Sequence, residues 1–474
     1  MAGPNQARRD AKVKHESRAG LNAFISRLRN APVAVIAVMQ NFGWMLASRG
    51  LAAVFSLIYL AIITRSLGVT GFGKFALITG AAQLLANLLA FQTWQIIVQY
   101  GVNHLENGDN TRLARLYRSA VLLDVVSAVT GIIASAIILH FLAGQLGMTP
   151  TLARATLIFN IIMLLSLRST PLGIMRLRDR FSLAAAADSA TPTLRLIGAV
   201  VVWFVHPKLQ GFLIAWAIAE LLTAAAHWYA VQKIGDLSLM LKRGKDVRQV
   251  IDDNPGILRY SLTTNFSQTL SMSAKQLPLF LVGGLTGTAA AGAFRLAAQL
   301  SRSLTILSQM IARAAFPEIV RAVRSHGVSG IASVISQTIR VALVVSAVAF
   351  VVAILFGQLV LETVGGAEFG RAYHSLLWLA AAACVELAVV AFEPSIMAAY
   401  RAHLAFYARL VATAVMVGAA FLLVPTMGAD GVAVAVFANS VTQALLLGLI
   451  LTKLIQGHDR AVVRGEAGNS RPGT

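Results

Sequence analysis

The sequence predicts an all-α polytopic membrane protein with about twelve transmembrane helices, in two six-helix bundles related by a pseudo-two-fold axis along the membrane normal. Its 474 residues are 57% hydrophobic and only 13% charged, whereas soluble domains carry about 25% charged residues. Apolar runs of about 20 residues recur along the chain, each long enough to cross a bilayer of about 30 Å. Such runs bond their own backbone groups as helices, which lipid requires.

The spans and their orientation follow from the apolar runs and from the loops between them. The predicted spans are 43–64, 72–98, 119–143, 153–173, 182–206, 211–232, 261–283, 288–316, 332–356, 375–397, 404–425 and 430–452. Lys and Arg concentrate in alternate loops, so we predict that both termini are cytoplasmic. The basic first 30 residues lead into a short apolar stretch without a clear cleavage site, which predicts an interfacial helix rather than a signal peptide.

Two related halves are indicated by short motifs at a common spacing. "GKFAL" begins at Gly73 and "GAFRL" begins at Gly292, 219 residues later, and several Gly and Ala positions recur 220 residues apart. Two six-span halves in the same orientation favour a carrier built from parallel repeats. The predicted domains are a basic arm with an interfacial helix (1–42), an N-terminal bundle (43–234), a linker (235–260), a C-terminal bundle (261–452) and a tail (453–474).

The predicted eighth span carries three arginines on one face of an otherwise apolar helix. At about 100° per residue, Arg302 and Arg313 return to within roughly 20° of Arg295, and Gln299 and Gln309 lie about 40° to either side. A guanidinium at mid-membrane costs about 2.5–3.5 kcal/mol on translocon scales. The stripe is therefore expected to meet water, an acid or an anionic ligand, although Arg313 alternatively reaches the interface from its end of the span.

Other predicted spans add cations to the interior, and fewer acids. Candidate cations besides the stripe are Arg49, Arg168, Arg195, Lys275 and Arg340. Candidate buried acids are Asp124, Asp188, Glu220, Glu386 and Glu393. Some acids must pair with the arginines; Glu220, Glu386 and Asp188 are alternatively ion-coupling sites. The excess of cations predicts an anionic cargo, such as a phosphate or diphosphate, because guanidinium groups bind phosphate through two hydrogen bonds.

Several classes of function are disfavoured by the sequence. The net charge of +20 is attributed to cytoplasmic loops rather than to a nucleic-acid site. No Gly-rich phosphate loop precedes Lys and Ser or Thr, so ATP hydrolysis is not expected. The nine histidines show no metal-ligand spacing, and the single cysteine, Cys384, allows no disulfide within the chain. We predict no cofactor and no catalytic site.

An arginine in the first span precedes an Arg-x-Leu-Gly loop, and Phe-Gly with an aromatic residue opens the second span. The residues are Arg49, Arg65, Leu67, Gly68, Phe72, Gly73 and Phe75. This pattern resembles bacterial polysaccharide-biosynthesis flippases, the Wzx-like O-antigen and exopolysaccharide transporters of the multidrug/oligosaccharidyl-lipid/polysaccharide exporter superfamily. "GAFRLAAQL" (292–300) resembles the start of that family's second half. At Lys275 many relatives have an acidic or neutral polar residue, so no ion-coupling role is carried over to it.

The resemblance implies a V-shaped pair of bundles around a cationic cavity, and an undecaprenyl-diphosphate-linked oligosaccharide as cargo for lipopolysaccharide or exopolysaccharide assembly. On this reading Arg195, Lys275, Arg295 and Arg302 hold the diphosphate with Gln299 on the same face, while Arg49, Arg168 and Arg340 line the inward entrance. Membrane lipids, a polysaccharide polymerase and chain-length proteins are the expected partners in the bacterial inner membrane. The alternatives are a cation-coupled drug or metabolite antiporter of the same superfamily and a membrane-embedded glycan polymerase or ligase.

Overall fold

The computed structural model consists of helices and short connections in the part of the chain that it describes. It describes residues 33–89, 91–143, 149–241, 249–262, 275–302, 331–398 and 402–469. The α-helices are α1 (Val33–Leu89), α2 (Thr93–Glu106), α3 (Asn110–Leu142), α4 (Pro150–Leu165), α5 (Ser169–Leu177), α6 (Phe181–Val205), α7 (Leu209–Ile234), α8 (Asp236–Leu241), α9 (Gln249–Asp253), α10 (Leu277–Thr286), α11 (288–302), α12 (Ile331–Gly365), α13 (Tyr373–Ala388), α14 (Phe392–Ala398), α15 (Ala402–Met427) and α16 (Ala429–Asn469). A further short helical stretch covers 257–262, and a 3-10 helix covers Ala367–Ala372. The all-α prediction is confirmed.

The chain divides into two compact units, Met1–Phe55 and Ser56–Thr474. In the first unit, the described residues form the beginning of α1. All contacts described below lie within the second unit. The predicted domain boundaries at the two bundles, the linker and the tail stay predictions.

Eight helical stretches among the described residues are long and apolar enough to cross a membrane. They are Ala52–Glu106, Asn110–Phe141, Ala153–Leu177, Phe181–Val205, Leu209–Ile234, Ala342–Gly365, His403–Met427 and Ala429–Leu454. The first of them covers 55 residues and contains most of two predicted spans, 43–64 and 72–98. The predicted spans 261–283, 288–316 and 375–397 fall on shorter helices or partly outside the described residues.

Two predicted spans are interrupted in the structure, and one carboxylate lies at both interruptions. Helix α2 begins at Thr93 and α5 begins at Ser169, each after a short non-helical connection. Asp124 of α3 accepts hydrogen bonds from Thr93 Oγ1 (2.8 Å), Thr170 Oγ1 (2.7 Å) and the backbone N–H of Thr170 (3.1 Å). The first turn of a helix leaves N–H groups free and favours a negative charge. Asp124 therefore stabilises both helix starts, and these hydrogen bonds come from threonines.

The two motifs that recur in the sequence meet each other in the structure. A Cβ atom on Gly73 of α1 would overlap the carbonyl oxygen of Thr288, and one on Gly292 of α11 would overlap the carbonyl oxygen of Val69. Only glycine permits backbones to approach this closely. The ring of Phe72 lies 5.9 Å from the ring of Phe369 beside this crossing. The crossing brings α1 and α11 together and sets the position of the next turns of both helices.

Polar contacts join α1 to the end of α12 near the same crossing. Gly68 has a φ of 65°, which interrupts the helical conformation of α1. Arg65 Nε donates to the carbonyl oxygen of Thr363 (3.1 Å), and Thr64 Oγ1 donates to that of Val364 (3.0 Å). The backbone N–H of Val69 donates to a Glu368 carboxylate oxygen (3.3 Å). These contacts hold the two halves of the sequence together on this side of the helix crossing.

The predicted linker packs against helices of the N-terminal half. Asp236 of α8 pairs with Arg178 at 2.6 Å, and these hydrogen bonds raise the pKa of the Arg178 guanidinium above its ordinary value. Asp253 of α9 pairs with Arg115 at 2.9 Å, and His104 bonds the Asn254 side chain at 2.9 Å. The described parts of the linker are therefore attached to the preceding helices rather than separate from them.

Candidate functional site

A cleft opens between α1, α7 and α11, and we call it the arginine cleft. Its cavity volume is about 20 Å³, room for about one water molecule, and it is partly open to solvent. The lining residues are Tyr59, Leu60, Phe72, Phe75, Ala76, Thr79, Trp216, Arg295 and Gln299. Arg295 is the one charged residue in this lining. The cleft thus combines an aromatic wall with a single cation and a few neutral polar groups.

Helix α11 places its polar side chains on the cleft because its other faces are packed. Leu296 and Ala297 are fully buried, as are the neighbours of Gly292. Arg295 and Gln299 are four residues apart, so they share one helix face. Both side chains line the cleft. Gln309 and Arg313, which belong to the same predicted stripe, lie outside the described residues.

The aromatic wall consists of rings from α1 and α7. The Trp216 ring packs edge-on against Tyr59 at 5.9 Å, and its centroid is 5.2 Å from that of Phe75. Phe75 in turn stacks on Phe72 at 6.2 Å. The Nε1 atom of Trp216 is buried and lies beside the Glu220 carboxylate of the same helix. The wall therefore offers apolar area to the cleft.

Arg295 is held by neutral groups rather than by a carboxylate among the residues that the structure describes. Its Nη1 lies 3.4 Å from Gln276 Oε1, and the amide of Gln276 bonds Gln83 at 3.0 Å. Arg195 and Arg302 are close enough to Arg295 for their charges to interact. Half-buried Arg302 lies at the end of the described part of α11. Of the four predicted diphosphate ligands, Arg295 lines the cleft, and Arg195 and Arg302 lie within electrostatic range of Arg295.

A buried carboxylate connects two of the predicted arginines. Glu220 of α7 is fully buried, pairs with Arg195 of α6, and lies 2.8 Å from Arg168 just before α5. We call these three residues the Glu220 triad. The Arg195 guanidinium also lies 3.7 Å above the centre of the Trp216 ring, which forms the cleft wall. With two guanidinium groups and one carboxylate, the triad keeps one net positive charge beside the cleft.

Helices α6 and α7 are joined by three polar contacts, which we call the α6–α7 seam. They are Asp188 with His227 (3.1 Å), Thr191 with Thr223 (3.2 Å), and Arg195 with Glu220. His227 and Thr223 are buried, whereas the Asp188 side chain is 61% exposed. Sequence reasoning placed Asp188 and Glu220 among possible ion-coupling acids but missed His227. The signal was available, because Glu220 and His227 are spaced by two helical turns, as are Asp188 and Arg195.

The remaining predicted residues lie away from this cluster or outside the described residues. Glu386 of α13 accepts a hydrogen bond from Ser440 (3.2 Å), and the exposed Lys275 is within electrostatic range of it. Arg340 is exposed on α12. The backbone of Arg49 is helical, but its side chain lies outside the described residues. The roles assigned to these residues stay predictions.

The chain matches a known family over more than half of its length. Residues 38–323 match the family described as "Polysaccharide biosynthesis protein". The sequence is also similar to the inner membrane protein YghQ of Escherichia coli (strain K12). The identity is 24% over 285 residues, which covers 60% of this chain and 80% of that protein.

Solved structures of two kinds of transporter share the fold. A multidrug resistance MATE family transporter of the MOP superfamily, in an inward-facing conformation, aligns with a TM-score of 0.69 and 15% identity, covering 86% of this chain and 96% of that one. The lipid II flippase MurJ, in an inward closed conformation, aligns with a TM-score of 0.67 and 12% identity, covering 86% and 87%. The chain is a multi-pass membrane protein of this fold, and the predicted twelve-helix, two-bundle arrangement agrees with these neighbours.

Proposed function

Because this chain belongs to the polysaccharide biosynthesis protein family, we propose that it is a flippase for a polyprenyl-diphosphate-linked oligosaccharide. The cargo crosses the bacterial inner membrane by alternating access, and both termini of the carrier are cytoplasmic. The oligosaccharide then serves polysaccharide assembly, where a polymerase and chain-length proteins are the expected partners. The chain itself performs no catalysis and uses no cofactor.

The observation that carries this proposal is the unneutralised guanidinium of Arg295 in the arginine cleft. Among the described residues its hydrogen-bond partner is the neutral Gln276. The Glu220 triad adds one further positive charge next to it. A cationic site with low-dielectric walls attracts anions, and guanidinium groups bind phosphate oxygens through paired hydrogen bonds. A diphosphate supplies the missing negative charge.

The residues beside Arg295 suit the sugar next to the diphosphate once the narrow cleft widens during alternating access. Aromatic rings contribute contact area, and Gln299 and Thr79 contribute hydrogen bonds to the sugar. Arg195 and Arg302 extend the cationic surface. The polyprenyl tail stays in lipid between the bundles, since its apolar surface gains nothing from a polar cavity.

The antiporter alternative needs a carboxylate that is free to bind a cation. Glu220 is already paired with two guanidinium groups, so a cargo cation has no vacant place on it. The polymerase or ligase alternative needs an available acid or base, and Asp253, in the adjacent acidic pair of the sequence, is paired with Arg115 and Arg112. These pairings disfavour Glu220 as a cation site and Asp253 as a catalytic acid or base.

The proposal is tested by binding of undecaprenyl diphosphate to the purified, full-length protein in lipid nanodiscs. Arg295→Gln keeps the helix and removes the charge. A hydrogen bond to a charged group contributes about 1.5–3 kcal/mol, so we expect affinity to fall about 10- to 100-fold. Polysaccharide export in cells that carry only this variant should fall with it, at an unchanged amount of folded protein.

The matched control is Arg371→Gln, because Arg371 is exposed on the 3-10 helix and bonds only the carbonyl oxygen of Glu368 among the described residues. This variant should bind and export like the wild type. Wild-type affinity and export in the Arg295→Gln variant, with folding intact, would refute the diphosphate site.

A further inference from the structure

The imidazole of His227 is held between two hydrogen-bond acceptors. Its Nδ1 lies 2.9 Å from the carbonyl oxygen of Thr223, and its Nε2 lies 3.1 Å from a carboxylate oxygen of Asp188. A carbonyl oxygen only accepts, so Nδ1 carries a hydrogen. A neutral imidazole has one N–H group, which leaves a lone pair on Nε2. The oxygen of an ionised carboxylate likewise presents only lone pairs to Nε2.

The contact between Nε2 and Asp188 therefore requires one proton more than a neutral imidazole and an ionised carboxylate hold together. Two arrangements satisfy it: an imidazolium that donates to the carboxylate, or a carboxylic acid that donates to the imidazole. Without that proton, two lone pairs face each other at 3.1 Å, and the contact opens. We propose that Asp188 and His227 form a proton-binding site, and that this proton is exchanged during the transport cycle.

Among the described residues, Asp188 is the charged group that contacts the His227 imidazole. The other charged groups on the helices around α7 are Arg65 and Lys74 of α1, Arg154 of α4, Arg168 and Arg176 at α5, Arg195 of α6, Asp236 of α8, and Arg295 and Arg302 of α11. Glu220 and Lys233 lie on α7 itself. Glu220 holds Arg168 and Arg195, and Asp236 holds Arg178. Arg176 lies over the Trp94 ring, and Lys233 over that of Tyr229.

Access and burial differ between the two partners in the way that a proton site needs. The imidazole is 1% exposed and keeps its place through Thr223, whereas the Asp188 side chain is 61% exposed. Asp188 lies two turns after the start of α6, and its exposed carboxylate can swing outward when the proton leaves. Imidazole is the side chain whose protonation changes between about pH 5 and 8.

The seam gives the proton a mechanical connection to the cargo site. Asp188 and Arg195 lie two turns apart on α6, about 10 Å along the helix. Arg195 stacks on Trp216 in the cleft wall. Losing the Asp188 contact removes one of the three polar contacts between α6 and α7, which allows α6 to shift Arg195 relative to the cleft. Proton exchange during transport rests on the proposed function, whereas the proton-binding site itself does not.

The site is tested directly by ¹⁵N-histidine NMR of the full-length protein in lipid nanodiscs between about pH 5 and 8. His227 signals are assigned by their loss in His227→Gln. We expect either an imidazolium at His227 or an infrared band of a protonated Asp188 carboxyl group, and we expect it to be lost in Asp188→Asn. His206→Gln, which removes an exposed histidine at the end of α6, should leave the signal unchanged.

A neutral imidazole together with an ionised Asp188 throughout this pH range would overturn the proton site. If His227→Gln does not fold, Asp188→Asn still provides the test, because it changes only an exposed side chain.

Proton exchange during transport is tested by asking whether the affinity for undecaprenyl diphosphate depends on pH through Asp188. Undecaprenyl diphosphate affinity is measured at pH 5.5 and 7.5, and we expect the ratio of the two to change at least about threefold in Asp188→Asn. An unchanged ratio, while Arg295→Gln still weakens binding, overturns exchange and leaves the flippase standing. Unaltered binding by Arg295→Gln instead removes the proposed function and leaves the NMR result intact.

Discussion

Glu220→Gln is the substitution whose effect follows most directly from the structure. It removes the only carboxylate in the Glu220 triad and leaves two guanidinium groups facing each other. Removing one partner of a buried ion pair costs about 3–5 kcal/mol. Arg195 and Arg168 are 17% and 31% exposed, so water relieves part of that cost, and we expect a loss of about 3 kcal/mol. The amount of folded protein after heating in detergent, followed by fluorescence size-exclusion chromatography, measures it.

Glu393→Gln is the matched control. Glu393 pairs with the single arginine Arg409 at 2.9 Å, and both side chains are partly exposed. Such pairs contribute about 0–1 kcal/mol, so its melting temperature should move much less. Adding Arg195→Gln to Glu220→Gln should recover part of the loss, because it removes one of two like charges. Equal melting temperatures for the two single variants, or simple additivity in the double variant, would refute the triad.

Three further predictions concern packing, helix starts and pH. Gly73→Ala should reduce thermal stability and export because of the close helix crossing, whereas Gly284→Ala, where a Cβ atom meets nothing within 4 Å, should not. Thr170→Val should cost about 1–3 kcal/mol, measured as a lower melting temperature, because it deprives the buried Asp124 of a donor. The N–H of Arg112 lowers the pKa of Asp109 below its ordinary 3.8. The stabilisation that the Asp109 carboxylate contributes is therefore present above pH 3.8, and it is lost as the pH falls through the pKa of Asp109 in the folded protein. Asp109→Ala should reduce the fall in melting temperature on acidification, and an equal fall would contradict this capping role.

The features predicted well from the sequence depend on periodicity within one helix. Hydropathy predicts the long helices, since each apolar run must bond its own backbone in lipid. The polar face of α11 follows from the spacing of Arg295 and Gln299. The common offset of Gly73 and Gly292 indicated related halves, and the structure adds that these two glycines touch.

The features that were missed depend on pairing between helices. Nothing in the sequence says which arginine reaches Glu220, because that choice depends on how α5, α6 and α7 are rotated and shifted. The helix interruptions before Thr93 and Ser169 were missed because the apolar runs continue through them. The sequence Ser-Thr-Pro from Ser169 is a helix-start signal that could have located the second. His227 was missed because its partner lies on a different helix.

The meeting of Gly73 with Gly292 has a consequence for the origin of the binding site. If the halves descend from one duplicated gene, these residues once belonged to identical subunits of a symmetric dimer, and each faced its own copy on the two-fold axis. Counting three residues on from each glycine aligns Ala76 with Arg295, and both now line the same cleft. A guanidinium at both places would set two like charges against each other. After duplication the two halves could diverge. One half could then carry a single cation at this place, whereas a symmetric dimer would carry two.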